Sequence, residues 1–93
     1  MILVWLPTAI KNREDQIDYI AQDSPKAAID QGDRIEEQIN MLIDYPEMGK
    51  PGRKKNTREM VISKTPFIVV YRCKPHSQRI EIMRLVHGSQ LYP

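Results

Sequence analysis

The sequence predicts an α+β domain with the element order β-α-α-β-β-β, in which a helical hairpin packs on one face of a small, mainly antiparallel sheet. Two observations predict this architecture: the spacing of apolar residues and the length of the chain. Apolar residues recur every three or four positions in the first half, as in helices, and every second position from Arg58 onward, as in strands. A chain of 93 residues has room for one hydrophobic core. We therefore expect a single domain over residues 1–93, with the second sheet face open.

A proline separates the first strand from the first helix. Residues 2–6 are apolar and predict a short strand that must end at Pro7, because proline cannot continue a strand ladder. Thr8 is an acceptable N-cap for a helix that runs to about Gln22. The apolar residues spaced along one side of this helix are Ile10, Ile17 and Ile20.

The second helix has a clear start and a regular apolar stripe. Ser24 is a capping residue and Pro25 suits the first helical position. The stripe consists of Ala28, Gly32, Ile35, Ile39 and Leu42. Because glycine in mid-helix costs about 1 kcal/mol relative to alanine, we expect Gly32 to permit close approach of the first helix. Pro46 and Gly49 end the segment.

Three strands follow, joined by short loops. The segments EMVIS, FIVVY and RIEIMRLV are each bounded by turn residues, so neighbouring strands should pair as an antiparallel meander. FIVVY is apolar on both faces, which predicts a place in the middle of the sheet.

Charge is strongly segregated along the chain. Residues 1–48 contain four Lys and Arg against ten Asp and Glu, a net charge of −6, whereas residues 49–93 contain ten against two, a net charge of +8. The stretch 50–58, which we call the cationic loop, has five cations in nine positions: Lys50, Arg53, Lys54, Lys55 and Arg58. Such a surface attracts nucleic acid, a nucleoprotein or an acidic protein. The alternatives are a solvated loop and simple attraction between the two halves.

Several classes of function receive no support from the sequence. The chain has no apolar run of about 18 residues that could span a membrane and no segment with the features of a signal peptide. Together with the single cysteine, Cys73, this predicts a cytoplasmic protein. Cys73 and His76 lack a second pair of ligands, and no glycine-rich phosphate loop occurs. We therefore expect no metal and no cofactor.

Three stretches resemble the RelE/ParE superfamily of toxins from bacterial type II toxin–antitoxin modules. They are DYIAQDSPKAA at 18–28, GKPGRKKNTREMVISKTPFIVVYR at 49–72 and LVHGSQLYP at 85–93, and together they follow the family's patterns over nearly the whole chain. The resemblance implies the fold predicted above. It also implies a partner: an antitoxin with an N-terminal DNA-binding domain and a flexible C-terminal segment that wraps the toxin in a hetero-oligomer.

The resemblance leaves two targets open. RelE-like members cleave messenger RNA on the ribosome, whereas ParE-like members poison DNA gyrase. TREMVI, TPFIVVYR and HGSQLYP look more ParE-like, because few charges lie within the strands, so gyrase is the favoured target and the cationic loop its docking surface. If the chain is a nuclease, the candidate residues are Arg58, Arg84, His87 and Tyr92, provided that the strands bring them together. Alternatively, His87 belongs to a turn that ends the last strand.

The antitoxin would bind by laying an amphipathic helix on apolar surface and adding a strand to a sheet edge. The candidate anchors are Trp5, Ile10 and Ile17, although each could equally be ordinary core. Two other functions stay open from the sequence: a plain nucleic-acid-binding module, and an inactive toxin that only titrates antitoxin.

Overall fold

A computed structural model describes residues 1–89. Its helices are α1 (Pro7–Asp23) and α2 (Pro25–Asn40), and its strands are β1 (Ile2–Trp5), β2 (Lys50–Pro51), β3 (Arg58–Val61), β4 (Phe67–Lys74) and β5 (Arg79–His87). Short 3-10 helices occupy Met41–Ile43 and Pro75–Ser77. The five strands form one sheet in the order β1-β5-β4-β3-β2, in which only the β1–β5 pair is parallel. The predicted fold class is confirmed.

The two helices begin differently from one another. In α1, Pro7 occupies the first helical turn, Leu6 is the N-cap, and no side chain caps the helix. The prediction of Thr8 as N-cap was wrong, because proline itself is preorganised for the first helical position. In α2 the prediction was right: Pro25 is in the first turn, and the Ser24 hydroxyl oxygen accepts a hydrogen bond from the Ala27 N–H at 3.1 Å.

The hydrophobic core lies between the helices and one face of the sheet. The predicted stripe is buried as its spacing indicates, at Ala28, Ile35 and Ile39 of α2 and at Leu42 in the short 3-10 helix that follows. The sheet contributes Met60, Phe67, Val69, Tyr71, Ile80, Ile82 and Leu85. The prediction that Gly32 permits close approach of α1 is only partly met. A Cβ atom added at Gly32 would lie 3.7 Å from Ile17 Cδ1 of α1, which is an ordinary van der Waals distance. The helices therefore do not require glycine at this position.

β4 is the central strand, as predicted from its two apolar faces. Its odd-numbered residues from Phe67 to Tyr71 face the helices, while Val70 and the half-buried Ile68 form a small cluster with Val86 on the opposite face. Val70 and Val86 are each 3% exposed, so this second face is not fully open. The reason is that FIVVY is apolar at every position, and successive residues of a strand point to opposite faces, so both faces receive apolar side chains.

No helix within residues 1–89 is both long enough and apolar enough to cross a membrane.

Candidate functional site

The hairpin groove is an apolar hollow on the outer side of the helical hairpin, with a volume of about 700 Å³. Trp5 at the end of β1, Ile10 and Ile17 of α1, and Ile29 of α2 line it. The structure thus brings together all three side chains that the sequence nominated as antitoxin anchors. Ile10 is 44% exposed and Ile29 is 64% exposed, so the hollow presents two large aliphatic side chains to solvent. Sequence reasoning missed Ile29, which lies beside the buried stripe of α2.

Acidic residues dominate the border of the hairpin groove. Its charged lining residues are Arg13, Glu14, Asp18, Asp33 and Glu36, four carboxylates and one guanidinium. Arg13 Cζ lies 5.2 Å from the centroid of the Trp5 ring, and Arg13 Nη2 lies 3.7 Å from Glu36 Oε2. The apolar floor and acidic border together suit a segment that carries apolar and basic side chains.

The cationic loop is anchored at its start by a buried tyrosine. Tyr71, which is fully buried, donates a hydrogen bond from its hydroxyl to the Pro46 carbonyl oxygen and accepts one from the Gly49 N–H, both at 2.8 Å. A Cβ atom at Gly49 would lie 2.6 Å from the Tyr71 hydroxyl oxygen, so only glycine fits. Burial raises the pKa of the Tyr71 hydroxyl, which therefore stays protonated as a donor.

A two-residue strand continues this anchoring. Lys50 and Pro51 pair with Glu59 and Arg58, where the sequence had indicated only a loop. The Arg58 guanidinium donates from Nη1 to the Gly49 carbonyl oxygen at 2.6 Å. The half-buried Arg58 side chain is therefore occupied in holding the loop against the sheet.

Glu59 holds the middle of the cationic loop from the other sheet face. Its carboxylate, only 5% exposed, accepts the Arg53 backbone N–H at 2.8 Å, and the Arg53 side-chain Nε lies 3.8 Å away from the same oxygen. The tip is closed by a Gly52 N–H to Thr57 C=O hydrogen bond of 2.8 Å, and Asn56 adopts a left-handed φ of 64°. The loop is thus a defined structure rather than a loose connection. The sequence offered a signal, since Glu59 is the one acidic residue near five cations.

The three residues nominated for RNA cleavage that lie within residues 1–89 are not brought together. Arg58 pairs with Tyr71 and Arg84 pairs with Val70, so their side chains project from opposite faces, because neighbouring residues of β4 alternate. β4 lies between β3 and β5, so the condition that these strands be neighbours is not met.

His87 is distant from Arg58 along the sheet, and it faces away from Arg84 because their partners on β4, Phe67 and Val70, point to opposite faces. It pairs with Phe67, four residues along β4 from the partner of Arg58, which is roughly 13 Å at the usual rise of a strand. Its ring packs edge-on against Phe67 with centroids 6.0 Å apart, and its Nδ1 accepts the Ser89 N–H at 3.2 Å. This is the geometry of a turn that ends a strand. Tyr92 lies outside the described residues.

Cys73 is half-buried next to the Tyr71 anchor and shows no activation. Burial raises the pKa of its thiol above the ordinary value, which disfavours the nucleophilic thiolate. Within residues 1–89 no three His, Cys, Asp or Glu side chains are grouped so that they could hold a metal ion.

Comparisons with known proteins identify a family, a relative and a similar fold. The family model described as "ParE toxin of type II toxin-antitoxin system, parDE" matches residues 3–92. A Sinorhizobium fredii protein named "Putative toxin Y4kP" is 36% identical over 89 residues, covering 96% of this chain and 90% of the relative. A solved structure titled "Chromosomal ParDE TA system from P. aeruginosa" superimposes with a TM-score of 0.81 at 24% identity, covering 94% of this chain and 95% of that one.

Proposed function

This chain belongs to the ParE toxin family of type II toxin–antitoxin systems, and we propose that it acts as a ParE-like poison of DNA gyrase that a cognate antitoxin neutralises. We further propose that it acts in the cytoplasm and that the antitoxin carries an N-terminal DNA-binding domain.

The separation of Arg58, Arg84 and His87 is the observation that carries the choice of target. Cleavage of RNA at its 2′-hydroxyl needs a proton acceptor, a proton donor and a phosphate clamp around one phosphodiester. Here the two arginines lie on opposite faces of the sheet, and His87 is the last residue of β5, where its ring accepts a hydrogen bond from the Ser89 N–H. A protein that poisons gyrase by binding has no need of such an arrangement, so the geometry favours gyrase over messenger RNA cleavage.

The cationic loop is the proposed docking surface for gyrase or for the DNA that gyrase holds. Lys50, Arg53, Lys54 and Lys55 are exposed there on a backbone held by Tyr71 and Glu59. A basic surface of this kind accelerates encounter with an acidic partner and fixes its orientation. Arg58 contributes by supporting the loop through Gly49 rather than by offering an exposed charge.

The hairpin groove is the proposed antitoxin site. A helix with apolar residues on one face would cover Trp5, Ile10 and Ile17, and basic residues at its border would meet the acidic side chains that surround the groove. The exposed Ile29 would be buried in the same complex. In this proposal the antitoxin and the target bind to different surfaces, one in the acidic half and one in the basic half of the chain.

A gyrase assay and an antitoxin-binding assay together test the two surfaces with paired variants. Purified toxin is added over a concentration series while supercoiling of a relaxed plasmid and accumulation of cleaved DNA are followed. The Lys54→Glu, Lys55→Glu double variant should need about tenfold more toxin for half inhibition, because two favourable charges become repulsive. The Ile10→Asp, Ile29→Asp double variant should inhibit like the parent but bind the antitoxin of the same module at least about tenfold more weakly.

Thermal unfolding of both double variants serves as the control, since all four positions are exposed and the fold should tolerate the changes. A folded parent toxin that leaves gyrase unaffected would contradict the gyrase proposal. A translation assay on purified ribosomes would then become the test of the RelE-like alternative.

A further inference from the structure

A cleft lies between the tip of the cationic loop and the end of β4. β3 begins at Arg58, opposite Tyr71, so the last three residues of β4, 72–74, extend beyond it. Two adjoining hollows of about 400 Å³ each occupy this step in the sheet, and Asn56, Thr57 and Cys73 line both of them. We call this region the loop–strand cleft.

Among residues 1–89, the loop–strand cleft is lined by cations and by no carboxylate. Its charged lining residues are Lys54, Lys55, Arg58, Arg72 and Lys74. Two of these are already engaged: Arg72 donates from Nε to Glu81 Oε1 at 2.6 Å, and Arg58 donates to the Gly49 carbonyl oxygen. The three lysines make no direct ion pair within residues 1–89. After Arg72, which is the main cause, Lys74 helps to lower the pKa of the Glu81 carboxyl at longer range, so the Lys74 ammonium group is not held by that contact.

The backbone of β4 adds a directional donor to these charges. The Phe67 carbonyl oxygen accepts the Ile62 N–H from the β3 side, so every second residue of β4 after Phe67 directs its backbone groups to that side. Cys73 has this parity and lies beyond the start of β3, so its N–H points into the loop–strand cleft. Backbone N–H groups next to ammonium groups are a usual arrangement for binding phosphate oxygens.

The tip of the loop is already shaped before any ligand arrives. Thr57 donates from its hydroxyl to the Lys54 carbonyl oxygen at 2.6 Å, and the Glu59 carboxylate accepts the Arg53 N–H. These contacts fix the backbone that carries Lys54 and Lys55, so binding would order only the lysine side chains.

We propose that the loop–strand cleft binds the phosphodiester backbone of nucleic acid, with Lys54 and Lys55 on one side, Lys74 on the other and the Cys73 N–H at the floor. The inference rests on the proposed function, in which DNA held by gyrase supplies the phosphodiester. It adds Lys74, which lies outside the cationic loop, and it assigns contacts that do not depend on base sequence.

Direct binding without gyrase tests the inference. The probes are a fluorescent DNA duplex of about 20 base pairs and a single-stranded RNA of similar length, titrated with toxin at several salt concentrations. Lys74→Gln should weaken binding of duplex DNA several-fold at about 0.1 M salt and reduce the slope of log affinity against log salt by about 0.9, the contribution of one lost phosphate contact. Lys64→Gln, an equal change of charge at an exposed position in the β3–β4 turn, should change affinity less than about twofold.

The outcomes distinguish the proposal of phosphodiester binding at the cleft from the proposal that gyrase is the target. Equal effects of Lys74→Gln and Lys64→Gln, with both variants shown to be folded, would overturn the cleft. If DNA binding depends on Lys74 but the toxin leaves gyrase unaffected, the proposal of phosphodiester binding at the cleft is supported and the proposal of gyrase as the target is contradicted. Gyrase inhibition that is insensitive to Lys74→Gln would overturn the cleft and leave the gyrase proposal standing. A Lys74-dependent preference for RNA would support phosphodiester binding with RNA as its source.

Discussion

The hairpin groove and the cationic loop are held in place by different forces. The groove forms where two helices meet, and its walls include apolar side chains such as Ile10, Ile17 and Ile29. The cationic loop is held by hydrogen bonds from buried groups, chiefly the Tyr71 hydroxyl and the Glu59 carboxylate. The groove should therefore tolerate small changes of volume, whereas the loop should depend on single atoms.

The two regions also differ in the sign of their charge and in what that charge contributes. The border of the groove carries four carboxylates, and the loop carries five cations within nine residues. In the groove the apolar floor provides the contact area and the charges select the partner. In the loop the hydrogen-bonded frame fixes where the exposed charges lie.

Gly49→Ala should have the largest effect on stability. The added methyl group would lie 2.6 Å from the Tyr71 hydroxyl oxygen and 3.0 Å from the Glu59 carbonyl oxygen, so the chain must shift and the anchor is lost. We expect the free energy of unfolding to fall by about 3 kcal/mol, measured by urea denaturation. A loss below about 0.5 kcal/mol would show that the loop is not held as described.

Tyr71→Phe should have the next largest effect. The ring still fills the core, but the Pro46 carbonyl and the Gly49 N–H lose their partner in a buried place. The cost should be about 2 kcal/mol, with faster hydrogen exchange at Gly49 and Lys50. Tyr19→Phe is the matched control, because Tyr19 is 70% exposed and should be neutral. Equal stability of the two variants would contradict the role of the hydroxyl.

Gly32→Ala should have the opposite sign. A Cβ atom at this position meets only Ile17 Cδ1 at 3.7 Å, and alanine is the better helix former. We expect stability to rise by roughly 1 kcal/mol. Replacement of glycine by alanine would thus destabilise the protein at Gly49, beside the loop, and stabilise it at Gly32, in the groove. Destabilisation by Gly32→Ala would mean that the hairpin is packed more tightly than this contact indicates.

Glu81→Gln should have the smallest effect, and one that depends on pH. The hydrogen bond from Arg72 lowers the pKa of the Glu81 carboxyl, with Arg79 as a second ionic partner at 2.8 Å. A lowered folded pKa contributes stability above the unfolded value, and this contribution disappears as pH falls through the folded value. The melting temperature of the variant should therefore be below that of the parent at pH 7.

As the pH falls below about 4.5, the usual pKa of a glutamate carboxyl, the difference between Glu81→Gln and the parent should narrow. Asp30→Asn, which removes an exposed pair with Lys26, is the control and should show little difference at either pH. A difference at pH 7 that persists unchanged at pH 3 would indicate a packing effect instead.

The sequence by itself determined the order of both helices and of four of the five strands, the central place of β4 and the buried apolar stripe that runs through α2 to Leu42, although it did not indicate the two-residue strand β2. Each of these follows from local periodicity, because a helix or strand buries whichever face carries apolar residues. The division into an acidic and a basic half also needed only counting. The sequence could nominate Trp5, Ile10 and Ile17 as a possible apolar surface. It could not show that they line one groove, or that Ile29 lines the groove with them.

The tertiary structure alone decided how distant side chains meet. Arg58 and Arg84 are separated because β4 lies between their strands and because their partners on β4 alternate in side-chain direction. Tyr71 reaches the cationic loop across 22 residues of sequence, and no local pattern marks that contact. Register and strand order come from the packing of the whole sheet, so the positions of site residues relative to one another depend on contacts that local sequence does not encode.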